Sequence, residues 1–429
     1  MYKYPHISCG YIGEHADNST VTSAYFFEII NDFSLLDNLN HFPQRIPKTG
    51  YFLELTKLEG HRYHEKLHAL VKKIKSNLIQ ALQNIADHPR RAINYLRLML
   101  RYSLFKDILL IEIPKSIAPE LLLEIKFIQE IAKLEIKLSF DDHDLNLDGL
   151  IAIANEHLNC SILPREVSIS VMNRIIVFAC RHQAQIDDEI LKKLLDVHVQ
   201  EVNECDSTHF NATILKSIAY RGIAMMPHLG VAKQSEYLFQ AEQYARHAEG
   251  KNKIEHLIKI DNLYTCLQTM AKWQMSVKNF AKAEEYLREL CKLDPTDSVG
   301  HSELGLFLHR LEHFTEAATC FDHAARLGPP AVGMNIYFRA KCLERIGLHH
   351  EAASLLHEAS TIDEEALSPL LDLFLFYKNS DNAKAQTIAH KIMSSSVFLD
   401  QLAEDELQDL QNTLNGQFKK IVYEQQPTS

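Results

Sequence analysis

Hydrophobic residues recur at spacings of three and four along most of the chain after residue 61. One such stripe comprises Leu67, Leu70, Val71, Ile74, Leu78, Leu82 and Ile85. This spacing places apolar side chains on one face of an α-helix. Further helices are predicted near residues 118–136, 147–157, 166–182, 187–204 and 209–226. The connections between them are short, which favours antiparallel neighbours, so the pattern predicts an all-α fold of helix pairs.

The first 60 residues are less regular. A helix is predicted around residues 24–30, whereas Tyr51 to Leu55 is predicted to be a strand or an extended segment. The apolar, β-branched run from Ile108 to Pro114 predicts a short strand, with a helix as the alternative. Acidic residues 141–144 and Pro164 interrupt the helical pattern, so a boundary is predicted near residues 140–165; alternatively, the chain after residue 61 forms one continuous array.

One helical-hairpin pattern occurs three times near the C-terminus. Ala283 and Ala317 are 34 residues apart, and Ala317 and Ala352 are 35 apart. Small residues also recur in the preceding helix of each unit, at Ala271, Gly305 and Ala340. Asp294-Pro295 and Gly328-Pro329-Pro330 follow two of the hairpins, and proline stops a helix because it lacks an amide donor. A period near 34 residues is typical of stacked helix pairs.

These positions resemble the tetratricopeptide repeat family, and residues 298–331 match its pattern best. The resemblance covers about a quarter of the chain, with fainter copies on either side. Upstream, residues 209–226 and 241–248 are predicted to pair, joined by a long loop at 227–234. Downstream, residues 370–377 and 382–393 suggest a degraded repeat, followed by a cap at 403–416. The resemblance implies a right-handed α-solenoid of antiparallel helix pairs with a less regular N-terminal region.

The pattern suggests five regions. They are an irregular segment at 1–60, a helical region at 61–160, degenerate repeats at 161–263, tetratricopeptide-like repeats at 264–400, and a cap helix with a tail at 401–429.

The resemblance also implies a candidate binding surface, because the family presents set positions of each first helix on a concave face. Here those positions are Gln268, Lys272, Met275, Ser302, Leu306, His309, Met334, Tyr337 and Lys341. This mixture suits an extended or helical peptide with some acidic character. For Met334 and Tyr337, packing against the next repeat is an equal alternative. Glu303 and Met334 replace residues of the family's carboxylate clamp, so that clamp is not expected here.

Composition limits the classes of function. The net charge of −11 argues against general affinity for nucleic acid, which needs a basic face. Nine Lys or Arg and only two Asp or Glu nevertheless lie between His61 and Phe105, so these helices present either a solvated face or a local dock for an acidic segment or a nucleic-acid backbone. The eight cysteines include no C-x-x-C pair, which favours reduced thiols in a cytoplasmic protein. No apolar run is long enough to span a membrane.

One short motif raises the possibility of catalysis. His64, Glu65 and His68 fit H-E-x-x-H, in which two histidines one helical turn apart bind zinc and the glutamate activates its water. This pentapeptide resembles the zincin metalloproteases. However, Lys66 puts a charge where those enzymes usually keep an uncharged residue, and no third ligand stands out. No metal or cofactor is therefore predicted.

The leading prediction is a protein–protein interaction scaffold that binds a peptide segment of a partner, with a peptide-sensing regulator as a variant. The alternative is a metal-dependent enzyme whose helical repeats recruit the substrate. A third possibility is a structural subunit that is stable only in a complex.

Overall fold

The computed structural model describes Arg45 and residues 48–85, 87–114, 117–140, 145–160, 163–181, 186–206 and 208–424. Within these residues the chain forms α-helices, one 3₁₀ helix and no β-strand. The predicted all-α architecture of antiparallel helix pairs is therefore confirmed. The helix expected around residues 24–30 lies outside the described residues.

Two compact units divide the chain between Thr296 and Asp297. We call the described residues before this point the N-terminal unit. Its helices are α1 Thr49–Glu59, α2 Arg62–Gln83, α3 Pro89–Arg101, α4 Phe105–Leu109, α5 Pro119–Ser139, α6 Asp148–Cys160, α7 Arg165–Arg181, α8 Asp188–Glu204, α9 Phe210–Ile223, the 3₁₀ helix Pro227–Leu229, α10 Gly230–His247, α11 Lys253–Ser276 and α12 Phe280–Leu293.

Each helix of the N-terminal unit packs against the next one or two along the chain. Helix α9, for example, contacts α7 and α8 on one side and α10 and α11 on the other. The core runs through these contacts and includes the fully buried Ile74, Ile93 and Ile175. Proline in the first turn of α3 and α5 fixes their start, because its missing N–H has no partner to lose there.

Three local predictions for this unit are wrong. The segment from Tyr51 to Leu55 lies inside α1, where Phe52 and Leu55 are buried one helical turn apart. The run from Ile108 to Pro114 forms no strand, since α4 ends at Leu109 and residues 111–114 have no regular structure. The segment at 227–234 is not a long loop, because the 3₁₀ helix leads directly into α10. At Tyr51–Leu55, burial of Phe52 and Leu55 decides the local structure against a weak preference.

The C-terminal unit contains the described residues from Asp297 onward. Its helices are α13 Ser298–Arg310, α14 Phe314–Leu327, α15 Val332–Arg345, α16 His349–Ile362, α17 Leu367–Lys378, α18 Asn382–Met393, α19 Ser396–Leu399 and α20 Glu404–Glu424. Consecutive helices from α13 to α18 pack as hairpins, and the first helices α13 and α15 also touch each other. The predicted cap at 403–416 corresponds to the first part of α20, which packs on α18.

The backbone repeats the same turn in three hairpins. Lys278, Glu312 and Gly347 have φ values of 63°, 62° and 86°, and each follows the end of a first helix by two residues. The next N–H then donates to a carbonyl five residues earlier, with N···O distances of 2.8, 2.9 and 2.9 Å. This is the Schellman arrangement that satisfies free carbonyls at a helix end. The same turn geometry therefore recurs with the period of the sequence repeats.

Small residues let the paired helices approach closely, as their periodic spacing predicts. Ala271, Ala283, Ala317 and Ala340 are fully buried. At Gly305 a Cβ atom would lie 2.9 Å from the ring of Phe321, so no larger residue fits without displacing that ring.

Helix α12 is tied to α10 by a polar network. The guanidinium of Arg246 donates two hydrogen bonds to Glu289, at 2.6 and 2.8 Å, and one to Glu242 at 2.8 Å. The Tyr286 hydroxyl also donates to Glu242 at 2.8 Å. Burial raises the pKa of Tyr286, and its bond to this carboxylate raises the pKa further. The network therefore fixes the position of α12, the second helix of the hairpin that it forms with α11.

Candidate functional site

The C-terminal unit carries six of the nine candidate residues on α13 and α15. Ser302 is buried, and Met334 is 38% exposed. The remaining four are half-buried, namely Leu306, His309, Tyr337 and Lys341. Because α13 and α15 touch, these residues lie on adjacent first helices, as the family pattern implies.

Aromatic rings back this surface. The ring of Phe338 stacks on that of Phe321 with 5.5 Å between centroids, and Tyr337 meets Phe338 edge-on at 5.4 Å. His309 contacts Phe314 at 5.4 Å and Phe338 at 6.0 Å. Such pairs hold one another in fixed orientations. The surface therefore has a rigid aromatic base, with the His309 imidazole half-exposed on it.

The surroundings of the histidine on this surface favour its neutral form. Burial lowers the pKa of His309, and the nearby cations Arg345 and Lys341 lower it further. A neutral imidazole offers one hydrogen-bond donor and one acceptor. It can therefore bond a peptide amide or carbonyl without requiring an acidic partner.

Tyr337 and Lys341 both lie near Asp372, which belongs to the next hairpin. Lys341 pairs with Asp372 on α17 at 3.1 Å and with Glu344 at 2.7 Å. Burial lowers the pKa of Lys341, but these two carboxylates outweigh the effect and raise it. Burial raises the pKa of Tyr337 to about 12, and the neighbouring carboxylate of Asp372 adds to this effect. The acidic group expected from a partner is supplied here by the chain itself.

Sequence reasoning missed Asp372 and Phe338. Phe338 directly follows a candidate position, but the family pattern does not mark it. Asp372 belongs to the next repeat, where the pattern had already weakened. A search for acidic residues one repeat beyond Lys341 would have found it.

The other three candidate residues lie on α11 in the N-terminal unit. Lys272 is exposed, whereas Gln268 and Met275 are half-buried. The same helical face continues towards the N-terminus through Thr265 to Asp261, at spacings of three and four residues. Asp261 is almost completely buried and contacts Arg45, a residue that sequence analysis did not single out.

The H-E-x-x-H motif lies on the outer face of α2. His64, Glu65 and His68 are all exposed. Among the residues that the structure describes, no group of three or more His, Cys, Asp or Glu side chains is placed to hold a metal ion. The chemistry of a zinc hydrolase therefore has no further support in the described part of the chain.

The basic residues of α2 and α3 have acidic neighbours. Arg90 and Arg97 both contact the buried carboxylate of Glu124 on α5, at 3.2 and 3.0 Å. Lys75 pairs with Asp107 at 2.6 Å. The local excess of positive charge thus serves partly to compensate carboxylates within the fold.

A cavity of about 540 Å³ opens between α2 and the segment that follows α4. Its wall is largely apolar and includes Leu78, Leu82 and Met99, with the Lys75–Asp107 pair at the rim. None of the nine candidate residues lines it.

No helix in the described part of the chain combines the length and hydrophobicity that crossing a membrane requires.

No protein-family model matches the chain, and no curated protein matches it. Several solved structures share a similar course of helices. The apo form of RapI has a TM-score of 0.46 and 12% identity, over 77% of this chain and 88% of that one. A human IFIT1 dimer with PPP-AAAA has a TM-score of 0.36 and 15% identity, over 95% and 87%. A MamA RS-1 double mutant has a TM-score of 0.35 and 14% identity, over 44% and 98%. Similarity at this level carries no information about a ligand or partner.

Proposed function

We propose that this protein is a cytoplasmic helical-repeat scaffold that binds a peptide segment of a partner protein on the first-helix surface of its repeats. The observation that carries the proposal is the surface of α13 and α15. On this surface Met334 is exposed, and His309 and Tyr337 are half-buried. The rings of His309 and Tyr337 contact the ring of Phe338, which holds them in place. A few anchors of this kind, surrounded by contacts that exclude water, supply most of the affinity in protein interfaces.

The chemistry of the surface narrows the type of peptide. Lys341 is already paired with Glu344 and Asp372, and burial together with nearby cations lowers the pKa of His309, which favours the neutral imidazole. We therefore propose that the C-terminal unit binds an apolar or aromatic segment on α13 and α15. Within the N-terminal unit, we propose Gln268, Lys272 and Met275 on α11 as separate partner-binding residues. Nucleic acid is a poor candidate, because Arg90 and Arg97 serve the buried Glu124.

The unpaired state of the described cysteines agrees with the proposed cytoplasmic location. In the described part of the chain, Cys180, Cys205, Cys266, Cys291, Cys320 and Cys342 are free thiols, which is what a reducing compartment favours. A peptide-sensing regulator is a variant of the same proposal, in which the bound peptide stabilises one arrangement of the helices over another.

A crosslinking experiment with the full chain tests the proposal. A photo-crosslinking amino acid at Met334 captures the partner in native cells, and mass spectrometry identifies the partner segment. The corresponding synthetic peptide is then titrated against the wild-type protein and a Leu306→Glu/Met334→Glu variant. We expect at least a tenfold loss of affinity in the variant, because the new charges are desolvated against an apolar segment.

The matched control places the same two charges on second helices, at the exposed Thr319 and Ser354. The Thr319→Glu/Ser354→Glu variant should bind like the wild type. Equal affinity for all three proteins would show that the peptide binds elsewhere and would exclude this surface.

A further inference from the structure

Arg45 is held within the N-terminal unit by two carboxylates distant in sequence. Its Nε atom lies 3.3 Å from Oδ1 of Asp261, and its Nη1 atom lies 3.0 Å from Oδ2 of Asp294. Its backbone N–H also donates to Oδ1 of Asp261 at 3.2 Å. The guanidinium carbon lies 3.8 Å from the centre of the Tyr264 ring. Two carboxylates and one aromatic face therefore surround this arginine. We call Asp261, Tyr264 and Asp294 the arginine socket.

The socket is built by helices α11 and α12. Asp294 ends α12, with its N–H bonded to the carbonyl of Leu290. Its Oδ1 atom accepts a hydrogen bond from the Thr296 hydroxyl at 2.9 Å, which leaves Oδ2 directed at the guanidinium. Asp261 and Tyr264 lie one turn apart on α11. The socket is thus formed by the repeat itself, and Arg45 comes from outside the hairpin.

Because the two carboxylates of the socket are buried, they need a positively charged group beside them. The side chains of Asp261 and Asp294 are 4% and 0% exposed, and that of Arg45 is 12% exposed. A buried carboxylate without a positive partner is strongly unfavourable. Arg101 of α3 supplies part of the compensation: burial lowers its pKa, and the negative charge of Asp261 opposes that effect. Arg101 therefore compensates part of the charge of Asp261, and Arg45 contacts both carboxylates.

The socket favours arginine over lysine. A planar guanidinium reaches two separate carboxylates from different nitrogen atoms while its flat face lies on the tyrosine ring. A lysine ammonium is a point charge that cannot make both contacts in the same way.

The socket continues the candidate surface. Asp261, Thr265, Gln268 and Lys272 follow one another at spacings of four, three and four residues, so they share one face of α11. A segment lying along that face would bring a side chain to Asp261.

We propose that the arginine socket is a binding site for an arginine side chain, that Arg45 fills it as an intramolecular ligand, and that an arginine in a partner segment replaces Arg45. The last step rests on the proposed peptide-binding function, whereas the first two do not. In this scheme Arg45 occupies the N-terminal end of the α11 face, and only an arginine-bearing partner that releases Arg45 gains access to the socket.

The test uses the full chain and a synthetic peptide with the sequence of residues 38–48, labelled with a fluorophore. A twin peptide carries citrulline in place of the arginine, which keeps the shape and removes the charge. Both are titrated against the wild type and the Arg45→Ala variant by fluorescence anisotropy. We expect the arginine peptide to bind Arg45→Ala at least tenfold more tightly than the citrulline twin does. We expect at least tenfold weaker binding to the wild type, whose socket is filled.

A second variant, Arg45→Ala/Asp261→Asn/Asp294→Asn, removes the two charges and should bind both peptides equally weakly. A second measurement follows the melting temperature, so that the test remains informative if Arg45→Ala is less stable than the wild type. Ten millimolar ethylguanidinium should raise the melting temperature of that variant more than ethylammonium does and should leave the wild type unchanged.

Equal binding of the arginine and citrulline peptides to Arg45→Ala, or equal effects of the two cations on its melting temperature, would overturn the socket. Because neither probe is a cellular partner, this result would leave the surface of α13 and α15 untouched. Conversely, the crosslinking experiment at Met334 can fail while the socket stands.

Discussion

His198 shows how a single residue sets the pH dependence of stability. It is completely buried on α8, and neither ring nitrogen has a hydrogen-bond partner among the described residues. Burial lowers the pKa of His198 to about 3. The unfolded chain binds this proton near pH 6.5, so between about pH 6 and pH 3 acid favours unfolding by up to about 1.4 kcal/mol per pH unit.

We predict that His198→Leu raises the free energy of unfolding at pH 7 by about 1–3 kcal/mol, because it removes an unsatisfied buried polar group of similar volume. The acid sensitivity between pH 6 and pH 3 should also decrease. Urea denaturation at pH 7, 5 and 4 measures both effects. The exposed His228→Gln variant is the control and should change neither. A His198→Leu variant that is less stable than the wild type would show that the imidazole is satisfied in solution.

At the scale of the element, the last helix covers the apolar face at the end of the helical array. Helix α20 packs on α18, and Leu410 is completely buried there beside a helix whose Ile388 and Ile392 are also buried. A terminal repeat needs such a cover, because its apolar face has no following repeat.

Leu410→Ala is expected to lower the free energy of unfolding of the C-terminal unit by about 2–5 kcal/mol, as for other buried leucines. Leu399→Ala in α19 is the matched control, since Leu399 is 38% exposed, and it should lower stability by far less. Urea denaturation followed by circular dichroism gives both values. Similar losses for the two variants would mean that α20 does not cap the array.

At the scale of the whole molecule, helix contacts are mostly between neighbours along the chain, and two compact units result. Stability in such arrays is approximately a sum of local terms, so distant substitutions act on different parts.

We therefore predict two unfolding transitions that respond to different substitutions. Gly305→Ala should destabilise the C-terminal unit by about 1–3 kcal/mol, because its Cβ would press on the buried Phe321 ring. His198→Leu should shift only the transition of the N-terminal unit. Hydrogen exchange measured by mass spectrometry along a denaturant series assigns each transition to its residues. Gly50→Ala in α1, where no atom lies within 4 Å of the new Cβ, is the control for the same substitution without a clash, and it should not destabilise the protein. A single transition moved by both substitutions would contradict the prediction.

The sequence by itself determined the all-α class, the period of the repeats and most helix limits. These properties depend on neighbours in the chain: apolar residues at spacings of three and four, small residues at Ala283 and Ala317, and the stop after Leu327. Local preference was insufficient at Tyr51–Leu55 and Ile108–Pro114, where burial against other helices decided the outcome.

Only the tertiary structure decided the electrostatics of the candidate sites. Arg45 is separated from Asp261 by 216 residues and from Asp294 by 249, so no periodic pattern relates them. In the same way, Asp372 turns Lys341 from an expected contact for an acidic peptide into one half of an internal pair. The charge of a residue can be read from the sequence, but whether that charge is already compensated depends on which distant side chains the fold brings within about 4 Å.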